Sequence, residues 1–329
     1  MLHETASPPF DPALAAWIAA LGERLVAAVP LAGDVSPRRY TRLQLAAGRS
    51  AILASYPDEV RTALPRFAAT TRLLAGAGVR VPRILALAEE RGWMLLEDLG
   101  PATLADWRGR PWSELARWFA AGRAAAARIA ALPAAAVRDL NPPLGRELLE
   151  RELEQTWRLH LAPRGLAGDA ALADELERGL AALCTALAAE APVPCHRDFM
   201  ARNLMPLPAE PSLAVLDHQD LRLGPQAYDL ASLLNDTLFP PPELEEEWVA
   251  AALPEAAARL SYHRAAAQRT LKAVGTYVAF AERGAPRHLP LVPPTLARAL
   301  AHFARTPEGA PLAPRLAPLW EPAAPAAAG

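Results

Sequence analysis

The spacing of apolar residues changes near residue 100, and this change divides the chain into two parts with different predicted structures. In the first part, a helical spacing predicts one helix from Pro12 to about Val29, capped by Asp11, and another from Thr62 to Ala77. Short apolar runs bounded by turn residues predict antiparallel strands in four stretches: 38–45, 51–56, 81–90 and 92–100. The first part is therefore predicted to be a small α+β unit.

Beyond Gly100-Pro101 the pattern is mostly helical. It predicts helices at 112–131, 144–161, 169–190, 226–237, 243–252 and 257–283. The exception is 192–224, which is rich in proline, histidine, aspartate and asparagine and predicts a loop and a β-hairpin within the helical part. The predicted organisation is an N-terminal lobe (1–99), a helical lobe (100–306) and a Pro/Ala-rich tail (307–329).

Composition narrows the possible classes of protein. The 329 residues suffice for two domains, and 34 basic against 36 acidic residues give a net charge of −2. This balance lacks the basic excess of nucleic-acid binders, so we expect no nucleic-acid partner. With 2 cysteines, no disulfide framework is expected, and no apolar run approaches the ~18 residues that cross a bilayer. The first residues also lack a signal-peptide pattern, so we expect a cytoplasmic protein with no membrane partner.

One segment carries residues suited to phosphoryl transfer. Residues 195–220 contain His196, Asp198, Asn203, Asp217 and Asp220. Phosphoryl transfer needs a carboxylate that orients and deprotonates the attacking hydroxyl, and oxygen ligands for Mg²⁺ on the nucleotide phosphates. The order H-R-D-x-x-x-x-N, followed after a short hairpin by an aspartate, supplies Asp198 as the base and Asn203 and Asp217 as metal ligands.

Other interpretations of the same residues are weaker. An isolated Asp–Asn pair is more often a turn or a helix cap than a catalytic pair. A zinc site built from Cys184, Cys195 and His196 fits no known ligand spacing, and Cys184 lies on a predicted helical face with leucines. The full ordered set of residues favours phosphoryl transfer.

These residues resemble a known family. His196–Asn203 and the segment Gly224–Ala231 (GPQAYDLA) are similar to motifs of the aminoglycoside phosphotransferase superfamily. Within it, the strongest resemblance is to the N-acetylmuramate/N-acetylglucosamine anomeric kinases of cell-wall recycling. That resemblance spans most of the chain and rests on 33–42, 146–161, 196–205 with 216–225, and 268–289. It implies a bilobal protein-kinase-like fold, with a small antiparallel-sheet N-lobe, a mainly helical C-lobe, and ATP and Mg²⁺ as cofactors.

The resemblance also implies a nucleotide site in the N-lobe. Ser36, Arg38 and Arg39 lie in the predicted phosphate-covering loop, and Glu97 and Leu99 lie in the hinge whose backbone pairs with adenine. No lysine is present before residue 272. The usual phosphate-binding lysine is therefore absent, and Arg38, Arg39 or Arg42 is expected to neutralise phosphate in its place.

The implied acceptor site involves the helix at 144–161 and the sole lysine. Glu147 and Glu154 are expected to hydrogen-bond sugar hydroxyls, and Trp157 to stack on the ring. Otherwise this helix simply has a solvated charged face. Lys272 either binds an anionic substrate group, such as a lactyl carboxylate, or extends from a helix surface toward solvent.

Asp220 either joins the metal ligands or holds the acceptor, and His196 and Asp229 are expected to support the catalytic loop. The resulting hypothesis is a monomeric, ATP-dependent kinase that phosphorylates the anomeric hydroxyl of N-acetylmuramate or N-acetylglucosamine. Two alternatives remain open at this point. One is a related kinase acting on an aminoglycoside, choline or homoserine, and the other is a nucleotide-binding pseudokinase.

Overall fold

The computed structural model describes residues 11–31, 37–210 and 212–320. The chain forms two compact units. The first comprises Met1–Gly76 and Arg80–Pro101, and the second comprises Ala77–Val79 and Ala102–Gly329, within the described residues of each.

The first unit is a five-stranded antiparallel sheet with two helices. Its strand order is β1-β2-β3-β5-β4. Its elements are α1 (Pro12–Ala20), β1 (Leu25–Pro30), β2 (Arg39–Leu45), β3 (Ser50–Ser55), α2 (Ala63–Gly76), β4 (Ile84–Ala88) and β5 (Trp93–Glu97). This is the small antiparallel-sheet lobe that the sequence predicts.

Successive side chains along each strand point to opposite faces of the sheet, and each face has its own hydrophobic core. Leu53 of β3 and Leu95 of β5 pack with Ile18 of α1 on one face. Met94, next to Leu95, packs with Phe67 of α2 on the other. Because successive side chains of a strand point to opposite faces, the apolar run in β5 supplies both cores at once.

The predicted first helix is wrong beyond Ala20. Asp11 caps α1 as expected, with its Oδ1 accepting the Ala13 N–H at 2.9 Å. The helix then stops because Gly22 adopts a left-handed φ of 77°. Leu25–Pro30 pairs antiparallel with β2 instead, so hydrogen bonding to a neighbouring strand overrides the local helical period.

The second unit is mainly helical, as predicted, with two small two-stranded sheets, β6-β9 and β7-β8. Its helices are α3 (Trp112–Ala130), α4 (Ala134–Val137), α5 (Arg146–Thr156), α6 (Ala170–Ala188), α7 (Tyr228–Leu234), α8 (Pro242–Ala252), α9 (Ala256–Glu282), α10 (Val292–Phe303) and α11 (Ala313–Trp320). Its strands are β6 (Val193–Cys195), β7 (Leu204–Leu207), β8 (Ser212–Val215) and β9 (Arg222–Gly224). Both small sheets lie within the non-helical segment identified in the sequence.

Helices α5 and α9 pack unusually closely at Gly275. A Cβ atom on Gly275 would lie 2.4 Å from Thr156 Oγ1 and 2.6 Å from the Thr156 backbone nitrogen. The Thr156 hydroxyl donates to the Leu271 carbonyl at 2.6 Å. The absence of a side chain at Gly275 therefore allows the two helices to touch backbone to backbone, and this contact fixes the side chains one turn away.

The sequence analysis missed the helices after residue 283. Helices α10 and α11 contain several prolines, which weaken a helical pattern. Trp320, at the end of α11, is 1% exposed and donates its indole N–H to the Gly165 carbonyl at 2.9 Å. The described part of the Pro/Ala-rich tail is thus packed against the helical unit.

No helix among the described residues combines the length and the apolar composition that crossing a bilayer requires.

We expect Gly275→Ala to lower the free energy of unfolding by about 1–3 kcal/mol, because the added methyl group must displace Thr156. Thermal unfolding of the full chain measures this. Gly76→Ala is a matched control, because nothing lies within 4 Å of a Cβ at that helical glycine. Equal melting temperatures for the two variants would contradict the close packing.

Candidate active site

The loop after β6 is held by a buried carboxylate. Asp229, in the first turn of α7, accepts the backbone N–H groups of His196 at 2.7 Å and Arg197 at 2.9 Å. Arg197 adopts a left-handed φ of 76°, which an arginine occupies only when its surroundings impose it. Asp229 therefore fixes the loop in a strained conformation just before Asp198.

A β-hairpin brings Asn203 and Asp217 together at its open end. Strands β7 and β8 pair with Leu204 opposite Val215. The Leu216 N–H donates to the Asn203 carbonyl at 2.8 Å, which continues the pairing by one residue on each strand. The fourteen-residue separation in sequence therefore becomes adjacency in space.

His196 links the two segments. Its side chain is fully buried, and Nε2 lies 2.8 Å from the Leu216 carbonyl oxygen, immediately before Asp217. Buried Asn141 holds the following turn, because its amide donates to the carbonyls of Gln219 and Leu221 at 2.9 Å each. The sequence analysis did not identify Asn141, since a lone asparagine in a loop gives no distinguishing signal.

The oxygen atoms of Asn203 and Asp217 suit a hard cation. The Asn203 amide nitrogen donates to the Asp198 carbonyl at 2.9 Å, which fixes the direction of its side-chain oxygen. Asp217 has a left-handed φ of 54°, and its Oδ1 accepts a hydrogen bond from Gln219 at 3.0 Å. One carboxylate and one amide oxygen are the kind of ligands that Mg²⁺ takes beside nucleotide phosphates.

Asp198 lies among positive charges. Its Oδ1 is 3.3 Å from Lys272 Nζ, and its Oδ2 is 3.9 Å from Arg197 Nη1. Burial raises the pKa of the Asp198 carboxyl, but the charges of Lys272 and Arg197 outweigh it and hold that pKa well below its usual range. The side chain is 22% exposed, so this ionised carboxylate remains accessible.

Glu152 of α5 joins this cluster. Its Oε1 lies 2.6 Å from Arg197 Nη2 and 3.1 Å from Lys272 Nζ, and its side chain is 7% exposed. Burial raises the pKa of this carboxyl, but Lys272 and Arg197 lower it overall. Sequence reasoning did not select Glu152. The available signal was its position beside the buried stripe of Leu149, Leu153 and Thr156.

Asp220 reaches the same cluster through Arg197. Its Oδ2 accepts from Arg197 Nη1 at 3.2 Å, and its Oδ1 from Arg222 Nη2 at 3.3 Å. The Asp220 side chain is 34% exposed. The structure therefore brings together His196, Asp198, Asp220, Asp229 and Lys272.

The structure does not bring Glu147, Glu154 or Trp157 to this cluster. At about 100° per residue, Glu147 and Glu154 fall on the opposite side of α5 from Glu152, and both are exposed. Glu154 and Trp157 instead line a cavity of about 710 Å³ beside Leu180 of α6.

The cysteines form no metal site. Both are buried, and burial raises the pKa of the Cys184 thiol to about 12. Across residues 11–31, 37–210 and 212–320, no three His, Cys, Asp or Glu side chains are grouped to hold a metal ion. This finding leaves the zinc alternative without support.

The predicted nucleotide residues lie in the first unit. Ser36 is outside the described residues. Arg39 begins β2 and is exposed, and Arg38 immediately precedes it and is half-buried. Arg42, the third candidate for neutralising phosphate, is committed elsewhere: its guanidinium donates to both Asp98 oxygens at 2.7 and 3.0 Å.

The hinge segment is also held by ion pairs. The Glu97 carboxylate accepts from Arg80 Nη1 and Nη2, at 2.9 Å each. Burial raises the pKa of Glu97, but its hydrogen bonds with Arg80 and Arg83 lower it to about 2. Leu99 follows in a half-buried position. The side chain of Glu97 thus anchors the segment predicted as the hinge, while the predicted adenine contact concerns backbone atoms.

Comparison with known proteins identifies relatives over most of the chain. The profile of the phosphotransferase enzyme family matches residues 27–266. An N-acetylmuramate/N-acetylglucosamine kinase of Pseudomonas putida is 34% identical over 301 residues, covering 87% of this chain and 86% of that protein. The Pseudomonas aeruginosa protein of the same name is also 34% identical, with 88% of each chain covered.

Solved structures support the same fold. A thermostable mutant of aminoglycoside phosphotransferase APH(4)-Ia has a TM-score of 0.59 at 16% identity, covering 87% of this chain and 96% of its own. Choline kinase LicA from Streptococcus pneumoniae has a TM-score of 0.57 at 15% identity, covering 89% and 98%. The protein-kinase-like fold predicted from the sequence is thereby confirmed.

We expect Asp229→Asn to loosen the loop after β6. Asparagine offers one side-chain oxygen to two buried N–H donors, so one donor loses its partner at a cost of about 1–3 kcal/mol. Hydrogen exchange followed by mass spectrometry should show faster exchange of the His196 and Arg197 amides. Ser232→Ala is the control, because Ser232 in the same helix makes one neutral hydrogen bond to the Arg197 carbonyl, at 3.2 Å. Unchanged exchange in Asp229→Asn would contradict this role.

Proposed function

Because the chain belongs to the phosphotransferase enzyme family, we propose that it is an ATP-dependent kinase whose acceptor is an amino sugar. The observation that carries this proposal is the arrangement of Asp198, Asn203 and Asp217. An ionised, accessible carboxylate lies beside a hairpin end that presents two oxygen ligands. Phosphoryl transfer requires these groups in one place.

Asp198 is assigned to the acceptor hydroxyl. Its depressed pKa makes it a weak base, so its main contribution is to orient the hydroxyl and accept its proton late in the transfer. An anomeric hydroxyl is more acidic than an ordinary alcohol and needs less help from a base. A weakly basic, firmly held carboxylate therefore suits phosphorylation at the anomeric position.

Asn203 and Asp217 are assigned to Mg²⁺. The bound ion would neutralise charge on the nucleotide phosphates. The chain contributes two oxygen ligands on a hairpin end held by the Leu216–Asn203 hydrogen bond.

The nucleotide is assigned to the first unit, with Ser36, Arg38 and Arg39 at the phosphates and the backbone of Glu97 and Leu99 at the base. Arg42 is removed from the phosphate candidates because Asp98 binds it at two points. Arginine suits phosphate because its planar donors contact two oxygens at once.

The acceptor is assigned from the named relatives. Two proteins at 34% identity, each matched over most of its length, are N-acetylmuramate/N-acetylglucosamine kinases. We therefore propose these sugars as acceptors, the sugar 1-phosphate as product, and peptidoglycan recycling as the setting. Asp220, beside Arg197, is better placed to hold the acceptor than Glu147, Glu154 or Trp157.

An ATP-consumption assay with N-acetylmuramate, N-acetylglucosamine, kanamycin and choline tests the function. We expect turnover with the two amino sugars and a product whose phosphate is on the anomeric carbon, identified by NMR. Asp198→Asn should reduce turnover about 100-fold or more while leaving ATP binding intact. Turnover with kanamycin or choline but with neither amino sugar would show that the proposed acceptor is wrong. Absence of turnover despite ATP binding would indicate a pseudokinase.

We expect Asp217→Ala to abolish the Mg²⁺ dependence of ATP binding, because the carboxylate ligand is removed. Calorimetric titration of ATP with and without Mg²⁺ measures this. Asn203→Ala should have a smaller effect, since a neutral oxygen contributes less than a carboxylate. Unchanged Mg²⁺ dependence in Asp217→Ala would show that the metal is held elsewhere.

A further inference from the structure

The sole lysine of the chain lies between two carboxylates. All other basic residues are arginine. Lys272 Nζ is 3.1 Å from Glu152 Oε1 and 3.3 Å from Asp198 Oδ1, and its side chain is 16% exposed. Lys272 is therefore not a side chain directed to solvent, which is one of the two interpretations offered by the sequence.

We propose that Lys272 is a positioning residue for the reaction: it bridges Glu152 to Asp198 and so holds the Asp198 carboxylate in the place from which it acts. The inference rests on the proposed function in one respect, namely that Asp198 acts on the acceptor hydroxyl. Lys272 itself acts through Asp198.

The position of Lys272 is set by rigid packing. Helices α5 and α9 touch at Gly275 and Thr156, one turn from Lys272 and Glu152. Gln268, one turn on the other side, donates to the Leu149 carbonyl at 3.1 Å. Lys272 and Glu152 are therefore fixed by two helices, whereas Asp198 belongs to a loop. The helices provide the reference against which the loop carboxylate is held.

The charges around Asp198 come from every neighbouring segment. Those closest to Asp198 or linked to it are Arg197 and His196 of the loop, Glu152 of α5, Asp220 of the turn after Asp217, Asp229 and Tyr228 of α7, and Arg269 and Lys272 of α9. Arg197 approaches Oδ2 only to 3.9 Å, while Lys272 reaches Oδ1 at 3.3 Å. Lys272 is thus the cation in closest contact with Asp198.

Lysine suits this bridge better than arginine. Its ammonium group is a compact charge with three donors that can point to separate carboxylates, whereas a guanidinium is a planar fork suited to one. Two carboxylates already neutralise Lys272. A substrate carboxylate would have to displace one of them, which disfavours the lactyl-binding interpretation.

The kinetic test uses Lys272→Met and Lys272→Arg. In Lys272→Met we expect kcat to fall about 100-fold, because the carboxylate loses its fixed position. The KM values for ATP and the acceptor should stay close to those of the wild type, because Lys272 acts through Asp198 and contacts neither substrate. Lys272→Arg should restore part of the lost kcat, because it returns a cation to the same place.

Arg264→Met is the matched control. Arg264 is on the same helix and pairs with Glu308 at 2.7 Å, and its side chain is 18% exposed. Its loss removes a half-buried cation from α9 without touching Asp198. We expect the wild-type kcat in this variant. An unchanged kcat in Lys272→Met, or an equal loss of kcat in Arg264→Met, would overturn the proposal.

The choice of acceptor separates positioning from substrate binding. A positioning residue acts on Asp198, so Lys272→Met should lose the same factor in kcat with N-acetylmuramate and N-acetylglucosamine. These sugars differ in the lactyl carboxylate. A loss confined to N-acetylmuramate would overturn the proposal in favour of direct carboxylate binding.

An NMR experiment tests the contact between Lys272 and the two carboxylates without measuring activity. With one lysine in the chain, protein labelled with ¹³C and ¹⁵N lysine gives one set of side-chain NMR signals. Asp198→Asn and Glu152→Gln should each shift these signals, and Glu308→Gln should not. Signals insensitive to Asp198→Asn would overturn the bridge. Shifted signals in an enzyme inactive on every acceptor would support the contact and refute the proposed function instead.

Discussion

The second unit is organised around two carboxylates that share one lysine, of which Glu152 is buried and Asp198 is partly exposed. Glu152 and Asp198 would repel, and each would lose solvation, unless cations entered the same space. Lys272 and Arg197 both do so, and each contacts or approaches both acids. Because neither cation comes from the segment that bears Glu152, three parts of the fold must be in place before the site has balanced charge.

The backbone serves this arrangement at two points. Gly275 lets α9 approach α5 closely enough for Lys272 to reach Glu152. Asp229 accepts two loop N–H groups and so stabilises the left-handed conformation of Arg197. With Arg197 fixed, its guanidinium reaches Glu152 and Asp220, while Asp198 remains partly exposed. The strained backbone at Arg197 is therefore what brings its positive charge to the two carboxylates.

Ion pairs have a different role in the first unit. Asp98 binds Arg42, and Glu97 binds Arg80, so the two carboxylates at the end of β5 connect it to neighbouring segments of the same unit. By its charge and its position in the chain, Arg42 is a possible phosphate ligand. Its actual partner follows from strand order: β2 is one strand removed from β5, with β3 between them.

The helical C-lobe, most of the strands, the ordered motif from His196 to Asp217 and the family follow from the sequence alone, because they depend on local period and on residues close in the chain. The apolar stripe of α5 indicates that Glu152 lies nearer the buried face than Glu147 or Glu154. Only the packing of α5 against α9 decides that this glutamate meets Lys272. Likewise, residues 25–30 became a strand through pairing with β2. Contacts between distant segments decided both outcomes, and the local pattern names neither partner.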